Sequence, residues 1–479
     1  MAAGKYMTYA AGGVLHISQS EISFHCYRTG EEMAGKVVYI TEEHSEDRNM
    51  RAPLILLAVA LFTLAFADHE DHNRHDKDDH HDHSCSHYQK GEKDDRKHQH
   101  PHNELLPCQK IAPYNSEFSF ALYRQVALDH PSENIVFCPV TISIAFAFLP
   151  LSANSKTHSQ IIERLGFNPS EISEKEMAKV FDHLLYVLSN VNRDVQLYAG
   201  NALFISKEHK ILQTFLDDAK RLFDSDVFPT DFKNTEEAKN LINSYIKKNT
   251  DGEISKLLDS VDQDAIMVLI NYMYLPYAIT STPQGKWKKS LDKKEGDFHV
   301  SESTTVKVPF MVNTGWHNVA FTDEATVVSI PYNEDANALF ILPRKGKFSE
   351  VEQNFNEELL IKWKKSMHTG LLKLVLPKFN ISSTINLKET LSKMGLADIF
   401  SDTAGLSAIT EEANMKISTA VHKTVLRVDE INDASFLPPT LPPLPLPLLI
   451  AFNRPFMLCF YDQKTRSVLL AGRIVNPQK

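Results

Sequence analysis

Six prolines lie within ten residues near the C-terminus, and they restrict what this part of the chain can fold into. They are Pro438, Pro439, Pro442, Pro443, Pro445 and Pro447. Proline has no backbone N–H to donate, so it is confined to edge strands, turns and loops. A strand pattern with Thr424, Leu426 and Val428 on one face precedes the run, and an apolar strand resumes at Phe456. The sequence therefore predicts an exposed loop between two strands, with a preference for polyproline II geometry.

The composition is that of a globular protein from residue 111 to residue 479, without a linker-like break or an internal repeat. Apolar residues at helical spacing predict helices around 118–126, 238–246 and 387–394. An almost continuously apolar run over 265–275 predicts a strand buried on both faces. Further strand-like runs lie at 339–342, 371–376, 456–460 and 468–471. Because helices come mostly first and strands mostly last, this pattern favours one α+β domain over 111–479.

Residues 50–67, MRAPLILLAVALFTLAFA, combine a basic residue, an apolar run and small residues at Ala65 and Ala67. These are the parts of a secretory signal peptide, and the apolar run is too short for a membrane-spanning helix. Residues 1–49 show no clear period and are interpreted as an upstream extension of the gene model. The alternative is a signal anchor with residues 1–49 in the cytosol. We expect a secreted, extracellular protein.

Residues 68–110 are predicted to form a disordered tail rich in histidine and aspartate, because they cannot offset the entropy of ordering. Between 68 and 102 there are ten histidines, ten acidic and six basic residues. A soft divalent metal such as Zn²⁺ or Cu²⁺ could bind His80, His81, His83, His98, His100 and His102. A solvated polyampholyte that binds metal weakly is the alternative. Cys85 and Cys108 could form a disulfide, stay free or pair with another chain.

The net charge of −10 argues against nucleic acid as a partner and against binding to an anionic membrane. Five cysteines are too few for a disulfide scaffold. The sequence contains no serine-hydrolase elbow, no zinc-protease helix motif, no phosphate-binding glycine loop and no CxxC pair. It therefore predicts a protein that is not an enzyme and has no cofactor.

A series of short motifs runs through the globular region. In chain order they read NIVFCPV at 134–140, GNALF at 200–204, NY at 271–272, GKW at 285–287, FILP at 340–343, LPKF at 376–379, MGL at 394–396, AVHK at 420–423, FNRPF at 452–456 and GRIVNP at 472–477. In this order and spacing they resemble the serpins, in particular the antitrypsin-like secreted clade that also contains the thyroxine and corticosteroid carriers. The resemblance implies three β-sheets, eight or nine helices and an exposed reactive-centre loop. It also implies inhibition of a serine protease, which cleaves the loop and is trapped when the loop inserts into the largest sheet.

The resemblance implies a hinge of small residues after a glutamate, because alternate side chains of an inserting loop must pass under the sheet. Here the hinge reads Glu430, Ile431, Asn432, Asp433, Ala434 and Ser435. Asp433 stands where the family has a threonine that enters first, and burial of an unpaired carboxylate is costly. Each proline then loses a hydrogen bond worth ~1 kcal/mol, so insertion past Leu437 is predicted to be unfavourable.

The reactive bond implied by the resemblance is obtained from two counts. Counted forward from Glu430 it is Leu446–Pro447, and counted back from Phe452 it is Leu444–Pro445. Proline follows the bond in both cases, and a tertiary amide is a poor substrate for serine proteases. We therefore expect poor inhibition or none. Mis-called exon boundaries are the alternative explanation for the prolines, and they leave ordinary inhibition open.

The resemblance also implies two polar or aromatic sites near the path of insertion. The cluster under the sheet, here called the shutter, is predicted at Cys138, Thr141, Asn271 and His422. Cys138 replaces a serine and makes weaker hydrogen bonds, and His422 is interpreted as a satisfied core histidine. The tryptophan at the start of insertion, the breach, is predicted at Trp287. An insertion of about eight residues, 276–283, is expected to interrupt the strand that leads to it.

Two further functions compete with inhibition. A carrier of a small hydrophobic hormone would use a pocket that the resemblance places at Leu360, Trp363, Lys364 and Arg466. Lys364 stands where the thyroxine-carrier pattern has asparagine, and Trp363 is more typical of core packing. The second alternative is an extracellular interaction protein that docks through its proline-rich and histidine-rich segments. We expect a monomer with one possible glycosylation site, Asn380.

Overall fold

The computed structural model describes residues 5–9, 13–17, 21–28, 31–38, 106–153, 155–168, 170–195, 198–279, 287–288, 295–331, 336–406, 409–410, 415–430 and 446–479. The chain divides into two compact units, Met1–Lys97 and His98–Lys479. None of the helices in these ranges is both long and apolar enough to cross a membrane.

The N-terminal unit contains a four-stranded antiparallel meander. Its strands are β1 (Lys5–Tyr9), β2 (Gly13–Ile17), β3 (Glu21–Arg28) and β4 (Glu31–Val38). This meander was not predicted from the sequence, although Ile22, Phe24 and Cys26 of β3 alternate with polar residues. Strands of five residues, such as β1 and β2, show too few alternations for a period to be recognised.

The described part of the C-terminal unit contains nine α-helices. They are α1 (Ala112–Asp129), α2 (Pro139–Ala147), α3 (Ser155–Arg164), α4 (Glu174–Val195), α5 (Gln213–Phe223), α6 (Thr235–Asn249), α7 (Phe348–Gln353), α8 (Glu357–Ser366) and α9 (Leu387–Lys393). Short 3-10 turns add Pro107–Ile111, Leu149–Ser152 and Asp398–Phe400. The helices predicted around 118–126, 238–246 and 387–394 are confirmed.

The fold begins earlier than the sequence predicted. The turn Pro107–Ile111 is helical, and Cys108 within it is only 1% exposed. Residues 107–110 therefore belong to the folded unit, and the predicted end of the disordered tail at residue 110 is wrong. The signal was weak because this turn is short and borders a strongly polar segment.

Fifteen strands lie in the described part of the C-terminal unit. They are β5 (Ile135–Phe137), β6 (Tyr198–Ser206), β7 (Asp226–Thr230), β8 (Met267–Ile279), β9 (Trp287–Lys288), β10 (Glu295–His299), β11 (Thr305–Phe321), β12 (Ala325–Pro331), β13 (Ala336–Pro343), β14 (His368–Pro377), β15 (Phe379–Asn386), β16 (Thr419–Glu430), β17 (Leu448–Ala451), β18 (Phe456–Asp462) and β19 (Ser467–Ile474). Every strand predicted from an apolar run is present.

A five-stranded sheet has the order β15-β16-β8-β6-β7. Strand β8 pairs with β6 antiparallel, from Ile205↔Met267 to Tyr198↔Tyr274. On its other side β8 pairs with β16 in parallel, from Thr419↔Val268 to Glu430↔Ile279. The parallel border between β16 and β8 is called the seam below.

Strand β8 is buried on both faces, as the sequence predicted. Met267, Leu269, Met273 and Leu275 join the main hydrophobic core. Val268, Ile270, Tyr272 and Tyr274 join a second core, which α6 covers with Ala238, Ile242 and Ile246. Because alternate side chains enter two different cores, packing fixes the part of the strand from Met267 to Leu275.

The remaining strands form a ten-stranded network with the path β17-β14-β11-β12-β13-β18-β19-β5, and β9 and β10 pair with β11 off this path. Strand β11 pairs with β14 over Phe310–Val319 and with β12 over Asn318–Phe321. Edge strand β17 follows the proline-rich segment and pairs with β14 in parallel. This network holds the C-terminal end of the loop, while the five-stranded sheet holds its N-terminal end.

Candidate functional site

The seam is fully paired between β16 and β8. Twelve residue pairs join the two strands, and the last of them is Glu430↔Ile279. The predicted hinge begins at Glu430, which is the last residue of β16, and Ile431–Ser435 lie outside the described residues. A strand inserted here would separate β16 from β8 by about 10 Å instead of about 4.8 Å, so every bond across the seam would have to be remade.

The loop ends abruptly at the ten-stranded network. Leu446 is 97% exposed, and β17 begins at Leu448, which pairs with Leu372. The candidate bond Leu446–Pro447 is therefore separated from a paired strand by Pro447 alone. Leu444 and Pro445, the other candidate bond, lie outside the described residues.

The four predicted shutter residues lie together under the seam. His422 of β16 and Asn271 of β8 are direct register partners, and both are completely buried. Asn271 accepts a hydrogen bond from the Thr141 hydroxyl at 3.0 Å, and Thr141 follows Cys138 at the start of α2. The backbone N–H of Cys138 donates to Nε2 of His422 at 3.0 Å. The cluster thus ties α2 to both strands of the seam.

The hydrogen bonds fix the tautomer of His422. A backbone N–H can only donate, so Nε2 is an acceptor, and it also accepts from the Thr424 hydroxyl at 2.6 Å. In the neutral ring the proton is then on Nδ1, which donates to Oδ1 of Asn271. Burial lowers the pKa of His422 to about 3. The ring is therefore neutral and fully satisfied, as interpreted from the sequence.

Two members of this network were not identified from the sequence. Asn201 of β6 accepts a hydrogen bond from Nδ2 of Asn271, which is its register partner across the sheet. Thr424 lies two positions after His422 and shares its face of β16. Both could have been found from the sequence. Asn201 lies in the GNALF motif, and Thr424 has the period-two spacing that places it on the same face of the strand as His422. With them the network spans three adjacent strands.

Burial also sets the chemistry of Cys138. It raises the pKa of the Cys138 thiol to about 11, so the side chain stays protonated and unreactive. Cys108, Cys138 and Cys459 are buried free thiols among the described residues. Cys85 lies outside the described residues, so its pairing with Cys108 stays a prediction.

A family model described as Serpin (serine protease inhibitor) matches residues 113–477. The chain is a serpin. The match covers almost the whole C-terminal unit, and the fold class predicted from the sequence is thereby confirmed.

Curated relatives place this serpin near the antitrypsins. Bos taurus alpha-1-antiproteinase is 40% identical over 395 residues, which are 81% of this chain and 91% of the relative. Sus scrofa alpha-1-antitrypsin is 39% identical over 395 residues, with the same coverage of 81% and 91%.

Solved serpin structures give the same result. Human thyroxine-binding globulin complexed with thyroxine aligns with a TM-score of 0.71 at 35% identity, covering 78% of this chain and 99% of the carrier. Human glycosylated kallistatin aligns with a TM-score of 0.69 at 35% identity, covering 78% and 99% of the two chains.

The first residues of the predicted insertion, 276–283, differ from the expectation. Strand β8 of this serpin continues through Ile279, and Pro276 pairs in register with Arg427. The expected interruption of the strand is therefore wrong for 276–279, because pairing with β16 carries the strand onward. Residues 280–283 lie outside the described residues. Trp287, the breach residue, pairs in register with Asn313 of β11.

Two of the four residues of the predicted ligand pocket are packed into the core of this serpin. Leu360 and Trp363 of α8 are 1% and 0% exposed, and the Trp363 ring stacks on Phe355 at 6.1 Å between centroids. Lys364 places Nζ 3.0 Å from the centre of the Tyr461 ring. An open cleft of about 490 Å³ lies elsewhere on α8 and is lined by Glu358, Ile361, Lys362, Lys365 and Ser366. Leu360 and Trp363 thus serve the core, as Trp363 was suspected to do.

Burial changes the pKa values of Lys364 and of the tyrosine beside it. Burial lowers the pKa of Lys364 to about 8 and raises the pKa of the Tyr461 hydroxyl to about 12. Arg466 has a left-handed backbone, with φ of 57°, in the turn between β18 and β19. Of the four predicted pocket residues, Lys364 and Arg466 are the two whose side chains are not committed to the core.

The other predicted sites lie apart from this region. Asn380 is exposed on edge strand β15, with Ile381 buried beside it. Glycosylation of Asn380 stays a prediction. The histidines of the tail lie outside the described residues. Among the residues that the structure does describe, no group of three or more His, Cys, Asp or Glu side chains is placed to hold a metal ion.

Proposed function

We propose that this protein is a secreted, antitrypsin-like serpin that is not an enzyme and whose proline-rich loop prevents the insertion step of protease inhibition. Serine proteases are the partner class that its family description names. The leader-like segment 50–67 and the likeness to alpha-1-antitrypsins support secretion.

The observation that carries the proposal is the fully paired seam. Bonds between β16 and β8 would have to be exchanged for bonds to the loop on both sides of it. Proline cannot donate, and four prolines (Pro438, Pro439, Pro442 and Pro443) precede even the earlier candidate bond. At about 1 kcal/mol for each donor lost, they oppose insertion by several kcal/mol.

Two further features support the same conclusion. Asp433 would have to enter the seam next to β8, whose side chains pack into two apolar cores. An unpaired carboxylate is strongly disfavoured in such surroundings. The bond Leu446–Pro447 lies next to paired strand β17, so a protease cleft could not bind extended residues beyond Pro447 without detaching that strand.

The proposal is tested by comparing thermal melts before and after a single cut after Leu448, which leaves Asp433 and all six prolines on the fragment that would have to insert. Loop insertion stabilises a serpin, so an inserting loop gives a large rise in the melting temperature. We expect no rise for this protein, and no denaturant-resistant complex with elastase-like or chymotrypsin-like proteases.

A matched variant shows whether the assay can detect insertion. It replaces the six prolines with alanine or threonine and Asp433 with threonine, at unchanged loop length. This variant is expected to gain stability on cleavage, while the native sequence does not. A large rise in the native protein would refute the proposal.

Transport of a small hydrophobic hormone is the second candidate. It is favoured by the likeness to thyroxine-binding globulin and by the half-buried Lys364 ammonium beside Tyr461, which suits an aromatic ligand with a carboxylate. A saturable change in intrinsic fluorescence with thyroxine, lost in Lys364→Met and kept in Lys362→Met, is expected if this function holds. The absence of saturation with thyroxine and with steroids would exclude it.

A further inference from the structure

Two polar side chains are buried next to each other on the inner face of β11. His317 is 4% exposed and Asn313 is 1% exposed. Nε2 of His317 lies 2.6 Å from Oδ1 of Asn313. An amide oxygen can only accept, so the ring carries its proton on Nε2 and donates it. The pair is thus a buried hydrogen-bonded unit built on a neutral imidazole.

Strand β11 is paired on only one side where this unit lies. On that side β14 pairs with Phe310–Val319. On the opposite side β9 pairs with residues 312–313, and β12 pairs with Asn318–Phe321. Among the described strands, residues 314–317 therefore have no partner on the second side. A stretch held by backbone hydrogen bonds from one side opens more easily than one held from both.

The buried unit also contains a polar atom that is not satisfied. Nδ2 of Asn313 is buried and makes no hydrogen bond within the part of the chain that the structure describes. The register partner of His317 is Gly370, so β14 places no side chain directly opposite the ring. A buried donor without an acceptor is costly, and opening β11 from β14 would give it water. This cost makes the closed arrangement easier to disrupt here.

A charge on His317 would have no counter-ion in the closed arrangement. Burial lowers the pKa of His317 to about 4, and no charged group contributes to the shift. Strand β12 contains no titratable residue. The titratable residues of the other elements packed against β11 are Lys288 of β9, His368 and Lys373 of β14, and Glu357, Glu358, Lys362, Lys364 and Lys365 of α8. His368 and Lys373 are exposed, on the solvent side of β14.

We propose that His317 is an acid-sensitive joint of the ten-stranded network, and that protonation of its ring opens β11 from β14 around residues 314–319. Strand β17 pairs with Leu372–Val375 of the same β14. Opening of the joint therefore loosens the strand that holds the C-terminal end of the loop. This inference does not depend on whether the loop inserts after cleavage, so either proposal can fail without the other.

The joint opens more readily as the pH falls. In the open form the ring titrates near its ordinary pKa of 6.5, and in the closed form its pKa is about 4. Only the open form binds a proton between these values, so the equilibrium constant for opening rises by up to about tenfold per pH unit below 6.5 and levels off below about pH 4. Between pH 7 and pH 4 it rises about a hundredfold.

Hydrogen exchange of the full-length protein, followed by mass spectrometry and corrected for the intrinsic rate at each pH, measures this opening. Peptides from 310–319 and 368–375 report on the joint, and peptides from 267–275 and 419–428 report on the five-stranded sheet. We expect protection of the joint to fall about a hundredfold from pH 7 to pH 4 and to stay below that of the sheet throughout. Equal protection of both regions would mean exchange by global unfolding and would overturn the proposal.

Variants identify the titrating group. His317→Gln keeps a polar partner for Asn313 but cannot titrate, so protection of the joint should change less than about threefold over the same range. His317→Phe is a second non-titrating variant, in case glutamine alters the fold. His368→Gln is the matched control, because it removes an exposed imidazole opposite Val319, and it should keep the native fall. A fall that persists in both His317 variants, or that is lost in His368→Gln, would contradict the proposal.

Discussion

Acidification from pH 7 to pH 4 is expected to remove about 3 kcal/mol of folding free energy through His422 alone. The folded pKa of His422, about 3, lies below the ordinary value of 6.5 because the ring is buried. The unfolded chain therefore binds a proton first as the pH falls. Stability is fully present above pH 6.5 and is lost progressively down to about pH 3. Urea-unfolding midpoints at four pH values measure this slope.

The variant His422→Gln isolates this contribution. It is expected to be less stable at pH 7, because the Cys138 N–H and the Thr424 hydroxyl lose their shared acceptor. Its unfolding free energy should also depend less on pH, by close to one proton or about 1.4 kcal/mol per pH unit between pH 6 and 4. His299→Gln, on the exposed surface, is the control for the loss of one imidazole. An unchanged slope in His422→Gln would show that another group governs acid unfolding.

Arg473→Met is expected to destabilise the fold by about 3–5 kcal/mol. Arg473 is 2% exposed and binds both carboxylate oxygens of Glu352 at 2.8 Å through Nη1. Its Nε donates to the Glu133 carbonyl at 3.1 Å, and Nη2 donates to the His130 carbonyl. Without the guanidinium, the largely buried Glu352 carboxylate loses its counter-ion and keeps the Tyr123 hydroxyl as a neutral donor, and the two carbonyls each lose a donor. The midpoint of urea unfolding measures the effect.

Two comparisons test whether the lost pairing is the cause. The double variant Arg473→Met with Glu352→Leu should be more stable than Arg473→Met alone, because it removes the uncompensated carboxylate. Arg344→Met should change stability by less than about 1 kcal/mol, because Arg344 binds a single carbonyl, that of Thr322, at the exposed surface. Equal losses at Arg473 and Arg344 would be incompatible with this account.

Local sequence patterns were sufficient for some of the strongly patterned elements of the serpin domain, such as β8 and α9. The apolar run of β8 predicted a strand buried on both faces, because no exposed strand can be apolar at both alternating positions. Helix α9 was predicted from Leu387, Leu391 and Met394, of which Met394 lies just beyond its last residue, Lys393. These signals lie within ten or fifteen residues, where periodicity is informative.

Features that depend on distant pairing were harder to predict. Residues 276–279 appeared to be an interruption, but pairing with β16, about 150 residues later in the chain, extends β8 through them. The packing of Leu360 and Trp363 into the core was not fixed by the resemblance, because sequence similarity gives the position of a side chain without its packing. Phe355, which stacks on Trp363, is not part of any motif that was recognised.

The shutter lies between these cases. The resemblance predicted Thr141, Asn271 and His422 as members of this cluster, and hydrogen bonds join them in the structure. Asn201 was overlooked because its role depends on being opposite Asn271 across the sheet, and register cannot be read from one strand alone.

The unequal lengths of the two borders of β8 have a consequence for how the five-stranded sheet comes apart. Beyond Tyr274, β8 is flanked by β16 alone among the described strands, while nearer Met267 it is held from both sides. Local fraying therefore starts at Ile279 and proceeds toward the His422–Asn271 pair, which acts as a latch. A segment that enters the seam would therefore separate the two strands first at the Ile279 end, and only its first few residues could enter before the His422–Asn271 pair has to open.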